Sequence, residues 1–308
     1  MKDWIRPASG VVTSISYCIQ ALTAPGDGVV IQPPVYDPFQ AVIKGAGRTV
    51  LENPLLSTDR RCHMDLDGLE ELFRNGARAL VLCNPHNPVG RVWTEKELGE
   101  LLELCLRYHV YVISDEIHCD FGLFGHRYTS VLAFPEGHGI CIALTAPGKT
   151  FNISGLGISS ILAPDPALRD TVGERLRSAW LINPSPLSMA ASAAAYRDGS
   201  DWHRAQLRYI EDNSLYLRNR LREEAPSIGV TGHEGTFLLW LDFRSFGMTD
   251  EALCSELQHQ WKLGLNDGAH FGTGGSGFMR LNLGCSRELL ETAADRLIAM
   301  HRAHFVHA

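Results

Sequence analysis

No apolar run in this chain of 308 residues approaches the roughly 20 residues that a bilayer-spanning helix needs, which excludes a helical membrane protein. The opening MKDWIRPASG mixes Lys, Asp and Arg and lacks the apolar stretch of a secretory signal, so a cytoplasmic location is expected. Cysteines stand singly at Cys18, Cys62, Cys83, Cys105, Cys119, Cys141, Cys254 and Cys285, with no C-x-x-C pair. That spacing argues against a disulfide framework and a cysteine zinc site, and reduced, mostly buried thiols are expected. Positive charge is in short supply: 28 Lys plus Arg against 35 Asp plus Glu give a net −7, the wrong sign for a protein whose main partner is a phosphate backbone. Low-complexity tracts and internal repeats are absent. What is present, 45% hydrophobic and 20% charged residues, is the composition of a folded globular protein long enough for about two domains.

Short apolar runs alternate with helical patterns through the first two-thirds, as βαβ units and a mainly parallel sheet require. Residues 28–32 (GVVIQ), 78–83 (RALVLC), 110–114 (VYVIS), 140–144 (ICIAL) and 158–162 (ISSIL) read as buried strands. Thr94-x-x-Glu97 is a capping box ahead of Leu98, Leu101, Leu102 and Cys105 at helical spacing. Asp65 and Ser286 read as N-caps of two further helices. Beyond about Arg204 the pattern changes to a long polar helix, a strand over 236–243 (TFLLWLDF), a helix after Thr249 and a strand over 278–283 (FMRLNL). The expected fold class is α/β: a large domain over 1–204 with a mainly parallel sheet flanked by helices, and a smaller α+β domain over 205–308.

In open parallel sheets, ligands gather beyond the carboxyl ends of the strands. RALVLC leads into Asn84-Pro85-His86-Asn87, VYVIS into Asp115-Glu116-Ile117-His118, and ICIAL into Thr145-Ala146-Pro147-Gly148-Lys149. An amide, a carboxylate with an imidazole, and a lysine are thereby aimed at one rim. A lone lysine at a strand end is ordinarily a solvated surface residue. A buried lysine facing a carboxylate and an amide instead suits pyridoxal phosphate (PLP), which takes an amine to bind it covalently, an acid to keep its ring nitrogen protonated and a donor to its ring hydroxyl.

The segments CNPHNPVGRVWT, ISDEIHCDF, GKTFNISGL and GFMRLNLGCSR resemble the class I/II aminotransferase superfamily of PLP enzymes, of fold type I, and within it the MalY/PatB-type cystathionine β-lyase branch. The resemblance runs in order from about Ser9 to the C-terminus. It implies that Lys149 binds the cofactor and shuttles the substrate's Cα proton, that Asp115 pairs with the pyridinium nitrogen, and that Asn87 donates to the ring hydroxyl. It further implies that Tyr36 stacks on the ring, that the turn at Gly10, Val11 and Val12 holds the phosphate on helix N–H groups, and that Arg280 grips the substrate's α-carboxylate with a bidentate fork. His118 stands near the same hydroxyl, where many aminotransferases have tyrosine and the lyase branch typically has histidine. A core tyrosine at 36 and a structural histidine at 118 are the plainer alternatives. Relatives assemble as homodimers, so a homodimer is expected.

Other motifs are decoys. Residues 272–277 (GTGGSG) match G-x-G-x-x-G but precede a strand, so they read as a flexible loop. Residues 143–150 end in GKT like a P-loop, but Ala143 replaces the first glycine and Pro147 removes a backbone donor. His301, His304 and His307 read as a solvated, fraying helix end, with no metal expected. Two departures from the family pattern stand out. Gly148 and Ala146 occupy positions where many members carry phosphate-binding serines, and reduced phosphate affinity is expected. Members also have several dozen residues before the phosphate-binding turn, whereas Gly10 comes almost at once, so that segment is expected to be absent. The expected reaction is α,β-elimination of cystathionine or a cysteine S-conjugate to thiol, pyruvate and ammonia. Transamination on the same residues, and a non-catalytic binding or regulatory protein that keeps the fold, are the alternatives.

Overall fold

In the computed structural model, which describes residues 2–181 and 184–306, every residue of the run Ala79–Cys83 is buried. A strand of that kind needs cover on both faces. In chain order the strands are β1 (Ile5–Ala8), β2 (Gly28–Ile31), β3 (Thr49–Glu52), a separate hairpin of β4 (Leu56–Thr58) and β5 (Arg61–His63), then β6 (Ala79–Cys83), β7 (Tyr111–Asp115), β8 (Cys141–Thr145) and β9 (Ser159–Leu162). Seven of them form one sheet in the order β1-β9-β8-β7-β6-β2-β3. The five strands from β3 to β8 are parallel, and β9 and β1 close the other edge antiparallel. The expected α/β class holds, with the run at 158–162 turning out to be the antiparallel member.

Helices α1 (Val11–Leu22) and α2 (Pro38–Gly45) pack one face, where Ile15, Ile19 and Phe39 meet Val29, Ile31, Val81 and Ile113. The opposite face takes α3 (Leu66–Arg74) and α4 (Glu95–Tyr108), whose Leu69, Leu98, Leu101 and Leu102 meet Val30, Leu80, Leu82 and Val112. Alternate residues of β2 and β6 thus serve opposite cores, the period of two that a strand imposes. The anticipated caps are formed. Thr94 and Glu97 make a reciprocal capping box, Asp65 accepts from the Gly68 N–H at 3.0 Å, and Ser286 accepts from the Leu289 N–H at 3.3 Å.

After β8 come the short α5 (Pro147–Thr150), α6 (Pro166–Ser178) and α7 (Pro186–Asp198). The long α8 (Ser200–Glu224) starts before the boundary expected at 204/205 and runs across it, so the chain passes between the two sheets along a continuous helix. The second sheet is antiparallel, with β10 (Gly229–Val230), β11 (Leu238–Asp242), β12 (Asn266–Asp267) and β13 (Phe278–Asn282) in the order β10-β11-β13-β12. Its core is shared with α8, α9 (Asp250–His259) and α10 (Arg287–Phe305).

Two expectations change. The glycine-rich loop after β12 is held in place: Ser276 Oγ and the Gly277 N–H both donate to Asp250 at 2.7 Å, and Gly275 lies so close to Gly268 that a Cβ there would come within 2.0 Å of the Gly268 carbonyl oxygen. The end of α10 stays helical to Phe305 and is only partly solvated: the buried His301 ring bonds Ser227 Oγ at 2.6 Å, while His304 is exposed, as expected, with its ring on Glu256 at 2.8 Å. His307 lies outside the described residues, among which no cluster of metal-ligating side chains occurs. All eight cysteines are free, and among the described residues no helix is long and apolar enough to cross a membrane.

Candidate active site

Strand order reverses between β2 and β6: the chain goes out to β3 on one side and to β7 and β8 on the other. Carboxyl ends that diverge at such a point leave a crevice. A cavity of about 350 Å³ opens there, and every residue to which the resemblance gives a role in binding or catalysis lines it, whereas Asn84, His86 and Glu116 of the same rim do not. Gly10 is the N-cap of α1 with φ +92°, a conformation natural to glycine, and no side chain caps the helix. The first N–H groups of α1, at Val11 and Val12, therefore remain open to an anion. Lys149 is the third residue of the turn α5 that follows β8.

Asp115 ends β7 and is 4% exposed. Its Oδ1 accepts the Ile117 N–H at 3.1 Å. Burial, with Glu116 adding to it, lifts its pKa to about 7 despite the pull of Lys149. His118 is buried against the ring of Phe237, 5.4 Å away, and its Nδ1 has no partner. Burial, and then the positive charges of Lys149 and Arg280, push its pKa down to about 3, so the ring is neutral. Tyr36 follows β2 and packs edge-on against Phe39. Its hydroxyl is held above the usual phenol range by burial, then by the Asp37 and Asp115 charges.

Asn87, in the loop after β6, is fixed by its own N–H to Cys83 Sγ at 3.4 Å, and its Oδ1 accepts from Arg280 Nη1 at 2.9 Å. Orientation of the amide follows from that bond, leaving its NH₂ group to donate elsewhere. Arg280 reaches in from β13 of the second sheet, so the cavity lies between the two sheets.

These groups fit PLP. A buried carboxylate of raised pKa is short of a cationic partner, which a protonated ring nitrogen would supply. The unpartnered His118 Nδ1 and the uncapped helix end are polar groups the protein itself leaves unsatisfied. Residues 3–297 match the family model described as aminotransferase class I and II. The chain belongs to that family. It is 40% identical over 292 residues to cystathionine β-lyase PatB of Bacillus subtilis, covering 94% of this chain and 76% of that one. It is 35% identical over 297 residues to protein MalY of Escherichia coli, covering 95% and 75% respectively. Among solved structures it is similar to cystalysin from Treponema denticola, which contains a pyridoxal 5'-phosphate cofactor, with a TM-score of 0.95 at 32% identity, covering 98% of this chain and 77% of that one.

Several lining residues escaped the sequence reading. Asn282 lies two residues beyond Arg280 on the same strand, so the period of two could have found it. Phe237 precedes β11 and carried no such signal. Ser154 lines the cavity too, and its Oγ lies 3.0 Å from where a side chain on Gly148 would begin, so a hydroxyl returns close to the position where the sequence lacks one.

Proposed function

We propose that the protein is a PLP-dependent C–S β-lyase acting on cystathionine or a cysteine S-conjugate. The convergence of Lys149, Asp115, Asn87 and Arg280 on one cavity carries this reading, and the relatives named above as a cystathionine β-lyase and cystalysin favour elimination over transamination. When bound, PLP supplies an electron sink conjugated to the substrate's Cα. The chain's own residues bind, orient and move a proton. Arg280 presents its fork to the α-carboxylate and fixes the amino acid with its Cα toward Lys149. Lys149 would hold the cofactor, and its amine is the general base that takes the substrate's Cα proton. With PLP bound, Asp115 would keep a proton on the ring nitrogen, the Asn87 amide and the neutral His118 ring would serve the ring hydroxyl, Tyr36 would cover the ring face, and the N–H groups of Gly10, Val11 and Val12 would hold the phosphate. The β C–S bond then breaks and the sulfur leaves as thiolate. With one water added, the products are thiol, pyruvate and ammonia.

The substrate is thus a small amino acid, and the enzyme works in the cytoplasm as a homodimer in this reading. Trp180, Leu187, Met189 and Trp202, all at least half exposed in and around α7 and the start of α8, are apolar surface that a second copy would cover in this reading. The test is to give PLP-loaded protein cystathionine and measure pyruvate and free thiol, with Lys149→Ala as control. Equal release of both, abolished in the folded variant, is expected. Keto-acid exchange alone would replace the reading with transamination, and bound cofactor without turnover of any amino acid would replace it with a binding protein.

A further inference from the structure

We propose that Asn266 is a positioning residue for carboxylate recognition: it holds the Arg280 guanidinium in place without neutralising its charge. This rests on the reading of Arg280 as the carboxylate binder. Asn266 and Arg280 are directly opposed partners on β12 and β13. Arg280 Nη2 donates to Asn266 Oδ1 at 3.0 Å, Nη1 donates to Asn87 Oδ1 at 2.9 Å, and the guanidinium lies 4.7 Å from the centre of the Phe271 ring. Both hydrogen-bond partners are amide oxygens. A carboxylate in either place would orient the guanidinium equally well but would pair with its charge and compete with the substrate for it. Two of the five guanidinium donors are used, which leaves three, among them the buried and unpartnered Nε, for an incoming carboxylate.

The side chain of Asn266 lies on the exposed edge of the sheet, but its backbone is well fixed. The strand pairing sets its backbone, the next residue Asp267 caps the following turn through the Ala269 N–H at 3.0 Å, and that turn is tied to the Tyr36 loop by the Val35 N–H to the Phe271 carbonyl at 2.9 Å. The edge of the second sheet therefore cradles Arg280 from one side as Asn87 does from the other.

The decisive probe is 2-methylalanine, which has an amine and a carboxylate but no Cα proton to lose, compared with isopropylamine, which lacks the carboxylate. Binding of each to the PLP-loaded protein is followed by the cofactor's absorption. Asn266→Ala should weaken 2-methylalanine about tenfold, the order expected for loss of one hydrogen bond to a charged group, and leave isopropylamine unchanged. Asn266→Asp should weaken 2-methylalanine further, because the new carboxylate pairs with the guanidinium. For cystathionine, KM should rise about as much as the 2-methylalanine affinity falls, while kcat stays within about threefold. Unchanged binding of 2-methylalanine in both variants, or equal weakening of the two probes, would overturn the role of Asn266. Arg280→Met is measured alongside: if it too leaves 2-methylalanine binding intact, the carboxylate reading of Arg280 fails and takes the role of Asn266 with it, an outcome distinct from failure at Asn266 alone.

Discussion

The buried carboxylate of Asp115 makes the cofactor-free protein pay for its own active site in a way that a single substitution exposes. Burial first, and then the neighbouring Glu116 charge, raise its pKa from an ordinary value near 3.9 to about 7. Between those values the unfolded chain carries the ionised group and the folded chain the protonated one, so the folded state binds more protons and its stability falls as pH rises. At about 1.36 kcal/mol for each tenfold change in proton affinity, the loss approaches about 4 kcal/mol by pH 8. Asp115→Asn keeps the shape and can still accept the Ile117 N–H, yet it never ionises. The buried, neutral His86, His118 and His233 act with the opposite sign, withdrawing stability as pH falls below their ordinary range, but they do so in both proteins and cancel in the difference. Urea unfolding of the cofactor-free proteins should therefore show a small advantage for the variant near pH 5 that widens to about 4 kcal/mol near pH 8. With PLP the order reverses in function, since the variant has no carboxylate to hold the ring-nitrogen proton, and turnover should fall at least about a hundredfold. A stability difference that does not widen with pH would refute the reasoning.

Arg280→Lys keeps the charge but loses the fork and the paired bonds to Asn87 and Asn266, so KM for cystathionine should rise roughly ten- to a hundredfold in steady-state assays while Lys149-dependent turnover persists. Glu234→Gln should cost about 3 kcal/mol in urea unfolding. The reason is that Glu234 accepts from Arg91 Nε and Arg61 Nε at 2.8 Å and from the Val92 N–H at 3.1 Å, and Arg91 is fully buried.

Much of this site was legible because its residues are short-range consequences of strand ends. Asn87, Asp115 and Lys149 each follow an apolar run whose burial on both faces is written in composition, and parallel strands then bring their carboxyl ends to one rim. Arg280 and Tyr36 came from motif resemblance, and the cavity collects them as well. Long-range pairings were not legible. That β9 runs antiparallel, that Asn266 faces Arg280 across a two-residue strand, and that Glu234 reaches Arg91 are facts of register and docking between segments far apart in sequence. The glycine-rich loop misled for a related reason: its glycines serve close backbone approach to Gly268, a need visible only once the neighbour is in place.

The same docking ties the two halves of the site together. Gly90 adopts φ +72°, and its carbonyl accepts the N–H groups of both Glu234 and Gly235, at 2.8 and 3.0 Å. A Cβ on Gly235 would come within 2.6 Å of the Val92 Cγ2 methyl and 2.7 Å of the Phe121 carbonyl oxygen, so only a residue without a side chain fits this joint. Arg91 then bonds Glu97 at the start of α4 and Glu234 beside the second sheet. This joint lies between the Asn87 loop and the segment that leads, through Phe237, into β11. Asn87 in turn holds Arg280 from β13. The amide proposed to face the cofactor and the guanidinium proposed to face the substrate are thereby set relative to each other by buried and half-buried bonds, and weakening Glu234 should loosen substrate recognition together with the fold.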